Sequence, residues 1–141
     1  MVVYFCCSLT GGRQDQPVYE AMVDCMLAQG HEVLTAHLAR PDVMQAEAVV
    51  DPVAVYERDV RWLQEAQAVI AEVSTPSHGV GYEIAYALSL ARPVLCCYRA
   101  GARVSKLILG NTSPAIRVQA YPDLPGALQI VQTFLAVCAA G

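Results

Sequence analysis

Charge is scarce in this sequence. Only 16% of its 141 residues are Asp, Glu, Lys or Arg, and they sum to −4. Such a chain has no electrostatic footprint for nucleic acid or for an anionic membrane surface. A small anionic ligand stays open, because local amides and hydroxyls hold such groups. No apolar run reaches the length that a membrane span requires. The opening MVVYFCCSLTGGR has no basic leader and no cleavage site, so export is not expected. The cytoplasm is the expected compartment, with the nucleus left open.

There is also no C-x-x-C among the six cysteines. Cys6-Cys7 and Cys96-Cys97 are adjacent pairs inside apolar runs, and neighbours on a strand point to opposite faces. Neither pair is placed to bridge or to chelate one ion, so buried thiols in a reducing compartment are expected. His31, His37 and His78 have no ligand-like spacing, which leaves no readable metal site and calls for no cofactor. Asn111-Thr112-Ser113 matches a glycosylation sequon, which means nothing without export.

What the chain has in quantity is apolar residues, 55% of the total. That is enough for a real core in one domain spanning 1–141. The excess of small and apolar residues also suggests elements buried on both faces, or a sizeable subunit interface. Short apolar runs alternate with helical patterns. VVYFCCS, EVLTA, AVIAEVS, PVLCCY and AIRVQAY read as five strands. PVYEAMVDCMLAQG, the stretch from Asp51-Pro52 to about Glu65, GVGYEIAYALSLA, a short VSKLILG and LPGALQIVQTFLAVCAA read as helices. RPDVMQAEAVV reads as a polar, irregular connection. The alternation predicts an α/β fold: a flavodoxin-like, doubly wound, five-stranded parallel sheet in the order 2-1-3-4-5.

In that order the ligand crevice lies between the first and third strands, beyond their carboxyl ends. SLTGGR, carrying Ser8, Gly11, Gly12 and Arg13, follows the first strand, and STPSHGVG, carrying Ser77 and Gly79, follows the third. Both are rich in glycine and hydroxyls, which lets a phosphate approach backbone amides. Glu83 is the lone formal charge between Glu72 and Arg92 and sits in a helix expected to be largely buried. A carboxylate there needs a cavity, a partner or a ligand to solvate it. Asp59 falls near the middle of the apolar half of its own helix, with Val53, Val55, Tyr56, Val60, Trp62 and Leu63, while Arg58 and Arg61 fall on the other half. Two inward carboxylates at one crevice suit cleavage at an anomeric carbon, one attacking or shielding the carbon and the other handling the leaving group's proton.

Taken together, YFCCSLTGGR, YERDVRWLQEAQAVIAEVS and PSHGVGYEIAYAL resemble the 2'-deoxynucleoside 5'-phosphate N-hydrolases of the nucleoside 2-deoxyribosyltransferase superfamily. The resemblance continues through RPVLCCYR and RVSKLILG. It implies a homodimer that releases free base and 2-deoxyribose 5-phosphate from a deoxynucleoside monophosphate. It gives Glu83 the role of nucleophile, Asp59 that of proton handler for base and water, and Tyr4 that of orienting the glutamate. Ser77 then matches a phosphate-binding serine, Ser105 a serine supplied by the neighbouring subunit, and His37 a histidine near the base or sugar. A serine at 77, where the transferases typically have aspartate, favours a phosphate over a free hydroxyl.

The chain departs from the family in two places. Thr10 replaces an arginine of mammalian members, leaving Arg13 as the nearest cation on that loop. Cys7 replaces a usual glycine and is expected to narrow the pocket floor. Admission of a ribose 2'-hydroxyl is a matter of side-chain volume in the pocket, with Phe5 and Leu9 the residues to watch. The rival readings are a CMP-type ribonucleotide hydrolase, a deoxyribosyltransferase and a catalytically inactive nucleotide-binding module. A redox protein built on the paired cysteines stands well behind them.

Overall fold

The computed structural model describes Met1–Gly141. Five strands form one parallel sheet in the order β2-β1-β3-β4-β5. They are β1 (Val2–Cys6), β2 (Glu32–Val33), β3 (Ala68–Glu72), β4 (Val94–Arg99) and β5 (Ile116–Tyr121). The helices are α1 (Gln16–Ala28), α2 (Val43–Glu47), α3 (Pro52–Glu65), α4 (His78–Ser89), α5 (Lys106–Leu109) and α6 (Leu124–Ala140). No helix is long and apolar enough to cross a membrane.

Strand alternation divides the core in two. Val3, Phe5 and Cys7 face α1 and α6, in a cluster of 20 buried residues. Tyr4 and Cys6 face α3 and α4, in a second cluster of 13. The β1–β3 register pairs Tyr4 with Val69 and Cys6 with Ala71, which brings the two inner strands to the switch point together. All six cysteines are free, and four of them are buried.

Three expectations need correction. EVLTA forms only a two-residue strand. The Thr35 hydroxyl accepts from the Phe5 amide at 2.8 Å and donates to the Phe5 carbonyl at 2.7 Å. A side chain thus takes over the edge of β1, and the backbone is free to turn into a short 3-10 segment, Ala36–Ala39. The connection expected to be irregular contains α2, anchored by buried Val43.

The third correction concerns α3 and α4, which are not buried around their apolar faces. Val53 is 62% exposed, Tyr56 56% and Tyr82 49%. Periodicity marks which residues avoid water, and within one chain these residues do not.

Candidate active site

Four segments converge beyond the carboxyl ends of β1 and β3. The first loop and the β3–α4 loop are in van der Waals contact. A Cβ on Gly11 would lie 2.2 Å from the Pro76 carbonyl oxygen and 2.9 Å from Ser8 Oγ, so only glycine permits this approach. Gly12 adopts φ +128°, a second reason for glycine in the turn. Ser8 is buried, and its hydroxyl has no partner within the chain. Ser77 caps α4, its Oγ accepting from the Val80 amide at 3.3 Å.

Glu83 lies in the second turn of α4, and Tyr4 donates a hydrogen bond to its Oε1 at 2.6 Å. Burial raises the Glu83 carboxyl to about 7, with the nearby Asp59 charge pushing the same way and the Tyr4 hydrogen bond opposing them. Burial also pushes the Tyr4 phenol and the Cys6 thiol up, leaving both protonated donors beside the carboxylate. Asp59 and Glu83 line one cavity of about 160 Å³ with Tyr56, Val60, Leu63, Gly79 and Tyr82. The two inward carboxylates therefore share a space, with an α4 amide segment at its edge.

Arg58 does not lie on a solvated face. Its Nε donates to Asp59 Oδ1 at 2.8 Å, and its two terminal nitrogens donate to Glu47 at 2.9 and 3.2 Å. His37 reaches the same carboxylate, Nε2 to Glu47 Oε1 at 2.9 Å, and packs edge-on against Trp62. Sequence reasoning missed Glu47 because its segment carried no pattern, and misread Arg58 because a helical wheel shows angle, not partners.

Other expectations fall differently. Arg13 is spent on the fold: it donates to the carbonyls of Ser8 at 3.1 Å and Arg40 at 2.9 Å and lies over the Tyr19 ring. Cys7 and Phe5 belong to the α1/α6 core, and Leu9 packs against that core from its edge, so none of them forms the floor beside Glu83; Cys6 does. Ser105 caps α5 and lines a larger cavity, about 590 Å³, together with Ser77, His78, Arg103 and Asn111. Arg103 is a cation that sequence reading did not single out.

A doubly wound sheet whose loops meet at glycine, with two carboxylates sharing a cavity at the switch point, defines an α/β domain of the kind that binds its ligand where the winding reverses. The sequence profile of the nucleoside 2-deoxyribosyltransferase family matches residues 3–120, and the chain belongs to that family. A Methanococcoides burtonii protein with the provisional name 2'-deoxynucleoside 5'-phosphate N-hydrolase 1 is 40% identical over 121 residues, 86% of this chain and 99% of the relative. The 5-hydroxymethyl-dUMP N-hydrolase of Rattus norvegicus is 37% identical over 130 residues, 90% of this chain and 79% of the relative. Among solved structures, a CMP N-glycosidase from Clostridium botulinum aligns with a TM-score of 0.72 at 18% identity, covering 95% of this chain and 99% of that one. At that identity the likeness speaks to the fold.

Proposed function

We propose that this chain is an N-glycosidase that hydrolyses 2'-deoxynucleoside 5'-monophosphates to free base and 2-deoxyribose 5-phosphate. The observation that carries the reading is the shared cavity of Glu83 and Asp59, with Tyr4 aiming the glutamate. The names of the archaeal and rat relatives support the substrate class.

In the first half-reaction the Glu83 carboxylate attacks C1'. The bond from C1' to the base nitrogen breaks, and Asp59 gives the departing base a proton. In the second half water attacks C1', Asp59 takes its proton back from that water, and Glu83 leaves as carboxylate. Tyr4 holds one glutamate oxygen and leaves the other for the sugar. The phosphate sits at the N-terminus of α4, against Ser77 and the Gly79 amide, with the Ser8 hydroxyl and the Gly11-Gly12 turn closing the first loop over it. His37 stands beside the base or sugar.

A second copy of the chain completes the enzyme, contributing Ser105 to the phosphate. The exposed apolar faces of α3, α4 and α5, with Tyr56, Tyr82 and an 86%-exposed Leu107, support a two-chain assembly.

The test is a time course with dGMP, dCMP, GMP, CMP and deoxyguanosine, following free base, with Glu83→Gln in parallel. Release from deoxynucleotides that the variant loses is the expected result. Faster release from CMP would move the protein to ribonucleotides. Binding with no release from any of the five would leave a nucleotide-binding module.

A further inference from the structure

Every nitrogen of the Arg58 guanidinium is engaged. Nε is given to Asp59 Oδ1 and the two terminal nitrogens to the two oxygens of Glu47, while the guanidinium carbon lies 4.9 Å from the Trp62 ring centroid. All three side chains are shielded: those of Arg58 and Asp59 are each 19% exposed, and that of Glu47 13%. A three-way grip with a stacked face leaves one rotamer, unlike a solvated ion pair that samples many. Of the two Asp59 oxygens, Oδ1 is occupied and Oδ2 has no partner in the chain. The spacing is local, Arg58 and Asp59 being neighbours in sequence, so the geometry does not come from the i,i+4 pairing that stabilises a helix. It comes from α2, which brings Glu47 to the far side of the guanidinium.

We infer that Arg58, locked by Glu47, is a positioning residue that fixes the Asp59 carboxylate with Oδ2 turned to the leaving group and the attacking water. The inference rests on the proposed hydrolase reading and deepens it. Glu47 also holds His37 Nε2 at 2.9 Å, so one carboxylate from α2 sets both the residue assigned to the proton and the residue assigned to the base side. Arginine is required because lysine, a single point donor, cannot reach Asp59 and both Glu47 oxygens at once. A carboxylate left to rotate misplaces a proton by an ångström or more, which costs about 10- to 100-fold in rate.

The experiment is a double-mutant cycle on base release. Wild type, Arg58→Met, Arg58→Lys, Asp59→Asn and the Arg58→Met/Asp59→Asn double variant are compared on the deoxynucleoside monophosphate that wild type turns over fastest. Arg58→Met is expected to lower kcat about 10- to 100-fold with KM within about threefold, and Arg58→Lys to recover only part of it. The double variant is expected to be no slower than Asp59→Asn alone, because a residue acting through Asp59 has nothing left to position. Losses that multiply in the double variant, or full activity in Arg58→Met, would overturn the inference. Should Arg58→Met fail to fold by circular dichroism, Arg58→Lys is taken through the same cycle with Asp59→Asn and decides by the same criterion. Absence of base release from wild type would instead sink the hydrolase reading itself, so the two failures are distinguishable.

Discussion

The phenol of Tyr4 and the carboxylate of Glu83, 79 positions apart in sequence, meet at 2.6 Å across the switch point of the sheet. One comes from the first strand and the other from the helix after the third. The fold joins them because β1 and β3 are adjacent and parallel, with Tyr4 on the face that α4 covers.

This contact sets a pH dependence. The proposed reaction needs Glu83 anionic and a proton donor for the base, so kcat/KM is expected to rise with pH up to about 7, the value to which burial raises Glu83, and to fall again at higher pH as the donor is lost. Tyr4→Phe removes the one hydroxyl that favours the charged form. The ascending limb should therefore move to higher pH, while a limb belonging to the substrate phosphate would stay put. A pH–rate profile of both proteins checks this.

The same shift has a sign in stability. A carboxyl raised in the folded state contributes stability that is fully present below its unfolded value and is lost as pH rises through about 7. Glu83→Gln removes that loss. Its melting temperature should gain on wild type between pH 5 and pH 8, measured by calorimetry.

Ser77→Asp places a second anion where the phosphate is assigned. Like charges in a tight site cost several kcal/mol. The preference for deoxynucleotide over deoxynucleoside, read as a ratio of kcat/KM values, should fall by about 100-fold or more.

Gly11→Ala forces its methyl against the Pro76 carbonyl, a backbone group that cannot swing aside. The two loops must part. We expect a loss of about 1–3 kcal/mol in urea unfolding and a raised KM for the nucleotide.

Complementation tests the neighbour's contribution. Glu83→Gln and Ser105→Ala should each be impaired alone. Co-expressed, they form a mixed pair with one intact site if Ser105 acts across the interface, and activity returns. If Ser105 serves its own chain, neither site of the mixed pair is whole and nothing is regained.

The winding, the element order and the two loops at the crevice were legible because each has a local signal: apolar runs of strand length, Pro and Gly at element ends, glycine where loops must touch. The outward faces of α3 and α4 were not legible, since Tyr56 and Tyr82 show the same periodicity whether a core or another chain covers them. Nor was the assignment of Cys7 and Phe5 to the α1/α6 side. Alternation on β1 separates odd from even positions, but only the packing helices say which set faces the carboxylates. The Glu47–Arg58–Asp59 chain had no sequence signal, because it joins a five-residue helix to the middle of another through side chains alone.

Trp62, the one tryptophan of the chain, touches both the Arg58 guanidinium and the His37 ring. Its neighbours are the groups assigned to hold Asp59 and to meet the base. The indole emission of the folded protein therefore originates on α3, one turn from Asp59, and nowhere else. Release of the Arg58 grip or movement of the His37 ring alters the surroundings of that single chromophore, so the chain carries an optical reporter of the Glu47–Arg58–Asp59 arrangement without any label.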